Sequence, residues 1–331
     1  MIRKIKYVIT KETNPYKNLA LEAYLLNTVE EDECILYLWQ NERTVVIGKN
    51  QNPWRECKVA ELEEAGGNLV RRLSGGGAVF HDLGNLNFTF LVTKNNYDVE
   101  RQLQVILEAV RQRGIPAEKT GRNDISVEGK KFSGNAYFSD GLHCYHHGTI
   151  LVKADMEMLS HYLNVSREKL VSKGVESVRS RVTNLTEYCP DLSIDMVRGD
   201  LVKAFQEVYG LVPEQVGPSE LPIQELNKLE DKFSSWVWIY GKKINFNYCA
   251  GRRFPWGGVE LAFEVESGIV KDCLVFSDSL ETEIFERIAD RLCGLKFSSH
   301  EMAEDLSQVP VQEGTAGILT DIIGFLREEK L

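Results

Sequence analysis

Three consecutive glycines, Gly75 to Gly77, constrain the fold of this chain more than any other stretch of its sequence. A strand-like run at 68–70 precedes them and another at 78–80 follows, so the segment is predicted to form strand, loop and strand. Glycine loses more conformational freedom on folding than any other residue, so a fold keeps three in a row where side chains would block a close approach. Because a strand and not a helix follows, the two familiar nucleotide-binding glycine loops are disfavoured.

Arg71 and Arg72 stand just before the glycines, and two interpretations of the loop remain open. Consecutive backbone N–H groups without Cβ atoms can form a concave anion site, and guanidinium groups match phosphate oxygens in geometry and charge. Alternatively, the segment is a tight β-corner flanked by two surface arginines. The spacing alone does not decide between a phosphate site and a corner.

The overall charge narrows the function classes. The chain has 331 residues, with 39 basic and 49 acidic side chains and a net charge of -10, which argues against nucleic acid or an anionic membrane as the main partner. Seven scattered cysteines without a Cys-x-x-Cys pair indicate free thiols in a cytoplasmic protein. Neither a signal peptide nor a membrane span is predicted.

Local patterns predict an α/β fold made of mixed α+β sheets with surrounding helices. A β-hairpin is expected at 34–39 and 44–47, and a strand at 236–240. Composition shifts towards Gly, Arg and Pro near residue 250, which predicts a linker at 247–257 between a large catalytic domain, 1–246, and a small α+β domain, 258–331. The other predicted elements are helices at 15–29, 59–65, 98–114, 195–209, 280–294, 300–309 and 315–328, and strands at 123–127, 130–136, 147–152, 259–265 and 269–275.

Lys131 is the single residue that is most informative about a bound ligand. Adjacent residues of a strand point to opposite faces, so one of Lys130 and Lys131 faces the interior or a cleft. An inward ammonium needs anions or oxygens around it, which suggests a ligand carboxylate or phosphate; otherwise both lysines are solvated. Asn123 and Asp124 could hold a ribose, an amine or a magnesium ion, or could simply cap a turn.

Five stretches together carry a resemblance. RRLSGGGAVFHDLGNLNFTF, GRNDISVEGKKFSGNA, HHGTILV, KGVESVRSRVTNLTEY and FPWGGVEL, in this order, resemble the bacterial lipoate-protein ligase A family. The resemblance runs from about Asn14 into the terminal domain, and it implies a biotin/lipoate ligase-like fold. It also implies a two-step reaction, in which lipoate attacks ATP to give lipoyl-adenylate and an acceptor lysine then displaces AMP.

Site residues follow from the resemblance by position. Lys131 matches the family's lysine that contacts both the lipoyl carbonyl oxygen and the phosphate. The dithiolane ring and alkyl chain of lipoate require an apolar acyl slot, and Leu73, Val79 and Phe80 are the candidate walls of that slot. A loop at 166–184 is expected to fold over the adenylate and meet the acceptor through Lys173, Arg179 and Arg181. Asp124 is the candidate Mg²⁺ ligand. The expected ATP or adenylate positions are Arg72, Ser74, Gly75, Gly76, Gly77, Ala78, Val79, Phe80, His81, Asn123, Asp124, Lys131, Ala136 and His147.

The implied substrates are ATP with Mg²⁺ and free lipoate, with octanoate left open, and no tightly bound prosthetic group is expected. The implied partners are lipoyl domains of 2-oxoacid dehydrogenase E2 subunits and the glycine cleavage H protein, with no nucleic acid and no membrane. Two alternatives stay open: an octanoyl- or lipoyl-transferase of the same fold, and a non-catalytic lipoate- or adenylate-binding protein. The transferase would use a cysteine just before the lysine segment, and the chain has none between Cys57 and Cys144.

Overall fold

Local sequence explains where the elements begin and end. Asn14 caps the first helix by accepting hydrogen bonds from the backbone N–H groups of Tyr16 and Lys17, and Pro15 occupies the first turn. Asp98 caps the helix Val99–Arg111 through the N–H of Arg101. The computed structural model describes residues 1–121, 123–164, 182–217, 220–241, 244–311 and 314–329.

The strands and helices are numbered in chain order. The strands are β1 Lys4–Ile9, β2 Glu33–Trp39, β3 Thr44–Ile47, β4 Asn68–Arg71, β5 Val79–His81, β6 Asn85–Thr93, β7 Ala117–Thr120, β8 Asp124–Val127, β9 Lys130–Ser139, β10 His143–Leu151, β11 Glu214–Gln215, β12 Tyr248–Phe254, β13 Gly257–Glu266 and β14 Ile269–Ser277. The α-helices are α1 Pro15–Thr28, α2 Pro53–Glu56, α3 Val59–Glu64, α4 Val99–Arg111, α5 Met156–Tyr162, α6 Ile194–Tyr209, α7 Ile223–Ser234, α8 Trp236–Tyr240, α9 Glu283–Leu292, α10 Ser299–Leu306 and α11 Ala316–Glu329.

The chain divides into two compact units. The first comprises Met1–Val46, Trp54–Arg71 and Ala78–Ile239; the second comprises Ile47–Pro53, Arg72–Gly77 and Tyr240–Leu331. The glycine loop therefore belongs to the second unit, although the strands before and after it belong to the first.

A mixed eight-stranded sheet organises the first unit, in the order β11-β1-β2-β6-β10-β9-β8-β7. Strand β1 runs parallel to β2 and β11. The remaining neighbours in this order, β2-β6-β10-β9-β8-β7, all pair in antiparallel fashion. A smaller sheet has the order β4-β3-β5. This is the mixed α/β architecture that the sequence predicts.

The apolar core of the first unit lies on one face of the large sheet. Phe88 and Phe90 of β6 pack there with Ile106 of α4 and Phe205 of α6, and all four are fully buried or nearly so. Each such side chain contributes roughly 1.5–3 kcal/mol by leaving water. Helix α1 lies against the other face, where Glu22 contacts β6 and β10.

The second unit has its own core. Strands β12, β13 and β14 form an antiparallel sheet, and apolar residues of α9, α10 and α11 pack with it. The hairpin at Glu266 to Ile269 turns through Ser267 and Gly268, which have φ values of 54° and 74°. None of the described helices is both long and apolar enough to cross a membrane.

Two predicted elements are wrong. The runs 34–39 and 44–47 are strands but not a hairpin: β2 lies between β1 and β6, whereas β3 pairs with β5 in the smaller sheet. Every residue of β2 is buried, as expected of a central strand covered on both faces. Residues 236–240 are helical because the Ser235 hydroxyl accepts the N–H of Trp238, and the indole N–H of Trp238 donates to the Arg71 carbonyl.

The segment predicted as a linker is mostly a strand. Tyr248 to Phe254 form β12, which pairs along its whole length with β13. Its alternating exposed and half-buried residues fit an edge strand with one face on the second core. The turn at 255–256 then connects it to β13, so glycine and proline there mark a hairpin.

Candidate active site

A β-bulge determines where Lys131 points. Asp124 pairs with Gly134 and Ile125 with Ser133, but Ser126 pairs with Lys131, so Phe132 is an extra residue in β9. Phe132 is fully buried in the apolar core. Without the bulge, Lys131 would lie on the opposite face from Gly134; with it, both share the face of Asp124.

The Lys131 ammonium is paired but accessible. Its Nζ lies 2.6 Å from Oδ1 of Asp124, and both side chains are about one-third exposed, at 36% and 37%. The lysine crosses directly over Gly134, where an added Cβ would lie 2.8 Å from Nζ. Its backbone carbonyl accepts the N–H of Thr183 at 2.9 Å. The cation is thus held by one carboxylate and still open to a ligand.

The face that carries Lys131 is unusually polar for a buried surface. One row across the strands joins Ala136, His147, Thr89 and Tyr37. The next row joins Thr149, Asn87 and Trp39, and the Thr149 hydroxyl accepts the N–H of Gly134 at 3.3 Å. These two rows, which we call the polar rows, connect the lysine to the middle of the sheet.

Glu22 of α1 is buried beside His147. Its Oε1 lies 2.8 Å from Nδ1 of His147 and accepts the Thr89 hydroxyl at 2.8 Å, and that hydroxyl accepts the Trp39 indole N–H at 3.1 Å. Such a network is stable only when its members are satisfied. Sequence reasoning found His147 but missed the other members, although a single acid within the run LALEAYLL is a signal.

Other predicted adenylate residues lie in the same unit, with structural partners. The Asn123 carboxamide donates to the backbone carbonyl of Asn135 at 2.8 Å, which closes the start of β8. His81 Nδ1 lies 3.2 Å from the Asn41 amide. Phe80 is buried, and the centroid of its ring lies 5.5 Å from that of Tyr162. Val79, which follows Ala78 in the chain, pairs with Val46 of β3.

The glycine loop belongs to the second unit and has a packing reason of its own. A Cβ on Gly75 would lie 2.3 Å from the Ser279 carbonyl oxygen, and the N–H of Gly76, at φ 92°, donates to the same oxygen. Arg72 is buried and donates to the Ser74 hydroxyl and to the carbonyls of Gly75 and Gly77. Gly77 is exposed and a Cβ there meets nothing within 4 Å, so packing explains Gly75 but not Gly77.

Two further predictions concern the acyl slot and the loop. Leu73 is partly exposed beside the glycines. Lys173, Arg179 and Arg181 lie outside the described residues, because the segment 165–181 is not among them. In the part of the chain that the structure describes, no group of three or more His, Cys, Asp or Glu side chains could hold a metal ion. Asp124 is therefore a single carboxylate beside a lysine.

Comparison with protein families covers most of the chain. A model of the lipoyl protein ligase A/B catalytic domain matches residues 14–206, and a model of the bacterial lipoate protein ligase C-terminus matches residues 243–324. The sequence is 39% identical over 307 residues to the lipoate-protein ligase A of Psychrobacter cryohalolentis, covering 90% of this chain and 91% of that protein.

Solved structures agree with the sequence comparison. The structure of P. falciparum LipL1 in complex with lipoate matches 98% of this chain and 99% of its own, with a TM-score of 0.84 and 30% identity. A bi-partite lipoate protein ligase of Thermoplasma acidophilum, solved in a study with its E2 lipoyl domain, matches 73% of this chain and 99% of its own, at TM-score 0.66 and 29% identity. A lipoate-protein ligase A bound with ATP matches with the same coverage and identity, at TM-score 0.63.

Proposed function

This chain belongs to the lipoyl protein ligase A/B family, and from that premise we propose how its residues carry out ATP-dependent attachment of lipoate to a protein lysine. The observation that supports the proposal most directly is the bulge at Phe132. It turns Lys131 to the face that carries Gly134 and the polar rows. A bulge beside a lysine of this kind re-aims a side chain for use.

In the first step, a carboxylate oxygen of lipoate attacks the α-phosphorus of ATP. The new O–P bond gives lipoyl-adenylate, and the bond to pyrophosphate breaks with its electrons on pyrophosphate. Negative charge grows on the phosphate oxygens, and the Lys131 ammonium stabilises it. Asp124 holds the ammonium in place at 2.6 Å until the phosphate competes for it. Arg72 and the glycine loop are the residues we propose to bind the nucleotide phosphates.

In the second step, the neutral amine of an acceptor lysine attacks the acyl carbonyl. The C–N bond forms, AMP leaves with the electrons of the C–O bond, and the amine loses its proton. Lys131 donates to the carbonyl oxygen as charge develops there, so one cation serves both steps. For the segment 166–184, most of which lies outside the described residues, the proposal rests on the resemblance alone: it would shield the anhydride from water and meet the acceptor through Lys173, Arg179 and Arg181.

Magnesium accompanies the nucleotide. Mg²⁺ is usually held by one or two carboxylates together with substrate phosphates, and a single exposed carboxylate such as that of Asp124 fits such a site better than a protein cage. The ion would neutralise phosphate charge when bound. The acceptors are lipoyl domains of the E2 type and the H protein, and we place the reaction in the cytoplasm. Residues 1–246 would carry both steps, with residues 258–331 as an accessory module.

Cysteine chemistry is disfavoured by the two thiols nearest the site in sequence. Cys57 and Cys144 are both buried, and burial raises the pKa of the Cys57 thiol to about 12 and raises that of Cys144. A nucleophilic cysteine needs a thiolate, which requires a lowered pKa. A transferase with a covalent thioester intermediate therefore has no support from these residues.

The test compares two adjacent lysines. Lys130 is exposed and faces Glu187 at 3.9 Å, so Lys130→Ala is a matched control for Lys131→Ala. Lipoyl-adenylate is measured by chromatography with lipoate, ATP and magnesium, and transfer by mass spectrometry of an acceptor lipoyl domain. We expect Lys131→Ala to lose roughly 10³-fold or more in adenylate formation, with Lys130→Ala within about twofold of the parent protein.

Both variants should keep the thermal unfolding midpoint of the parent protein, because neither lysine is buried. Normal adenylate formation by Lys131→Ala would contradict the assignment. A non-catalytic binding protein would bind lipoate without consuming ATP, and the same assay distinguishes it. Omission of each component in turn separates ATP-dependent ligation from direct acyl transfer.

A further inference from the structure

Two buried carboxamides on β6 have unmet hydrogen-bonding capacity. Asn85 and Asn87 are 0% and 1% exposed, and Nδ2 of Asn85 donates to Oδ1 of Asn87 at 2.9 Å. Among the described residues, Oδ1 of Asn85 and Nδ2 of Asn87 have no hydrogen-bond partner. A buried polar group left unpaired costs about 1–3 kcal/mol, so such a pair requires an explanation.

The surroundings of Asn87 point towards a ligand. It lies between Trp39 and Thr149 in one of the polar rows. The Thr149 hydroxyl accepts a hydrogen bond from the N–H of Gly134, and the Lys131 side chain crosses over Gly134. Neighbouring strands are about 4.8 Å apart, so Asn87 lies two strand spacings, about 10 Å, from the strand of the lysine. That distance is comparable to the extended length of an eight-carbon acyl chain.

The neighbouring Thr89, unlike Asn85 and Asn87 in the described part of the chain, has partners for both the donor and the acceptor of its side chain. Thr89, two residues further along the same face, donates to Glu22 and accepts from Trp39. The Asn85 contact also fixes the Asn87 amide, because it occupies Oδ1 and leaves the N–H group as the free end. Asn85 is thus a positioning residue for Asn87.

We propose that the Asn87 amide meets the far end of the bound acyl chain and selects the dithiolane ring of lipoate over the alkyl end of octanoate. The proposal rests on the proposed function, because Lys131 must hold the carboxyl end. The ring sulfurs are weak hydrogen-bond acceptors, whereas an alkyl end offers none. With octanoate the buried N–H group stays unpaired, and a site built to bond a polar group discriminates against a ligand that lacks it.

The experiment measures kcat/KM of adenylate formation for lipoate and for octanoate. Asn87→Leu and Asn87→Ala both remove the amide: leucine has the same branching and number of side-chain heavy atoms with a larger volume, and alanine has a smaller volume. We expect both to shift the lipoate-to-octanoate ratio roughly tenfold towards octanoate, mainly through KM. Asn85→Ala should shift the ratio in the same direction by less, because the amide remains but is no longer oriented.

Gln102 supplies the control. This carboxamide of α4 is fully buried, and neither of its amide atoms has a partner among the described residues. Its helix packs on the apolar face, opposite Asn87. Gln102→Leu should leave the ratio unchanged. An unchanged ratio in both Asn87 variants, or a shift with leucine alone, would overturn the proposal, since the second result assigns the effect to volume. A parent protein inactive with both acids would instead remove the proposed function, and this proposal with it.

Discussion

The two faces of the large sheet are built from alternate residues of the same strands, yet they have different physical characters. On one face, Phe88 and Phe90 pack against α4 and α6 in the apolar core. On the other, Asn87 and Thr89 form part of the polar rows, beside a buried glutamate of α1. Both faces are buried, so exposure to water does not distinguish them. What differs is the effect of burial: it stabilises the fold on the apolar face and is a cost on the polar face, where we propose a binding site.

The difference has a consequence for mutagenesis. Burial of apolar groups stabilises the folded state, whereas burial of polar groups is close to neutral when they are paired and costly when they are not. Substitutions on the apolar face should therefore change the free energy of unfolding, and those on the polar face should change turnover or selectivity. Glycines on the two faces offer the sharpest comparison, because a Cβ added to each would meet defined neighbours.

The largest expected effect is on the apolar face, at Gly148. A Cβ added there would lie 2.6 Å from the carbonyl oxygen of Gly134 and 2.7 Å from the ring of Phe88. Neither a paired strand nor a buried ring can move away cheaply, so we expect Gly148→Ala to lower the free energy of unfolding by about 3 kcal/mol. Denaturant unfolding followed by circular dichroism checks this. A loss under about 1 kcal/mol would show that this face tolerates more volume than its packing suggests.

The next effect is the acid sensitivity of His146, which packs against Phe88 and Phe90 on the apolar face. It is fully buried, and its Nε2 lies 2.8 Å from Oδ1 of Asn135. Burial, with a smaller contribution from neighbouring His147, lowers the pKa of His146 to about 3. An unfolded histidine titrates near 6.5, so below that pH the unfolded state binds the extra proton.

Stability from this group is therefore complete above pH 6.5 and falls as the pH drops towards 3. The loss should reach about 2 kcal/mol at pH 5. Denaturant midpoints between pH 7.5 and 4.5 measure it, and His146→Gln, which keeps an N–H donor for Asn135, should flatten that part of the profile. Equal slopes for the parent protein and the variant would assign the acid sensitivity to other groups.

The sequence predicts most of the elements because their signals are local. The caps at Asn14 and Asp98 give the starts of α1 and α4. The turn at Glu128 and Gly129, with φ values of 51° and 76°, joins β8 to β9 between the predicted strands 123–127 and 130–136. It does not predict which strands pair, since that depends on contacts far apart in the chain. The separation of β2 from β3 is such a case.

For the proposed site, the sequence singles out Lys131 as a candidate but does not predict the direction of its side chain. Two adjacent lysines in a strand show only that their directions are opposite, and a bulge at the apolar Phe132 leaves no local mark. The same holds for the partners of His147, because Glu22 and Thr89 come from distant segments that pairing brings together. The WVWIY run of α8 is too short for its periodicity to separate helix from strand.

The smallest expected effect, and the one most specific to the polar face, is at Gly134. A Cβ there would lie 2.8 Å from Nζ and 2.9 Å from Cε of Lys131, so it meets the tip of a flexible side chain and not the backbone. We expect Gly134→Ala to keep the free energy of unfolding within about 1 kcal/mol of the parent protein while the rate of adenylate formation falls roughly tenfold, because the ammonium is pushed from its position beside Asp124. The fall should appear in kcat more than in KM for lipoate, since a displaced cation weakens the transition state first. Parallel measurements on Gly148→Ala provide the contrast: a matching loss of stability in both variants, or a parent-like rate in Gly134→Ala, would mean that the two faces do not divide stability from turnover.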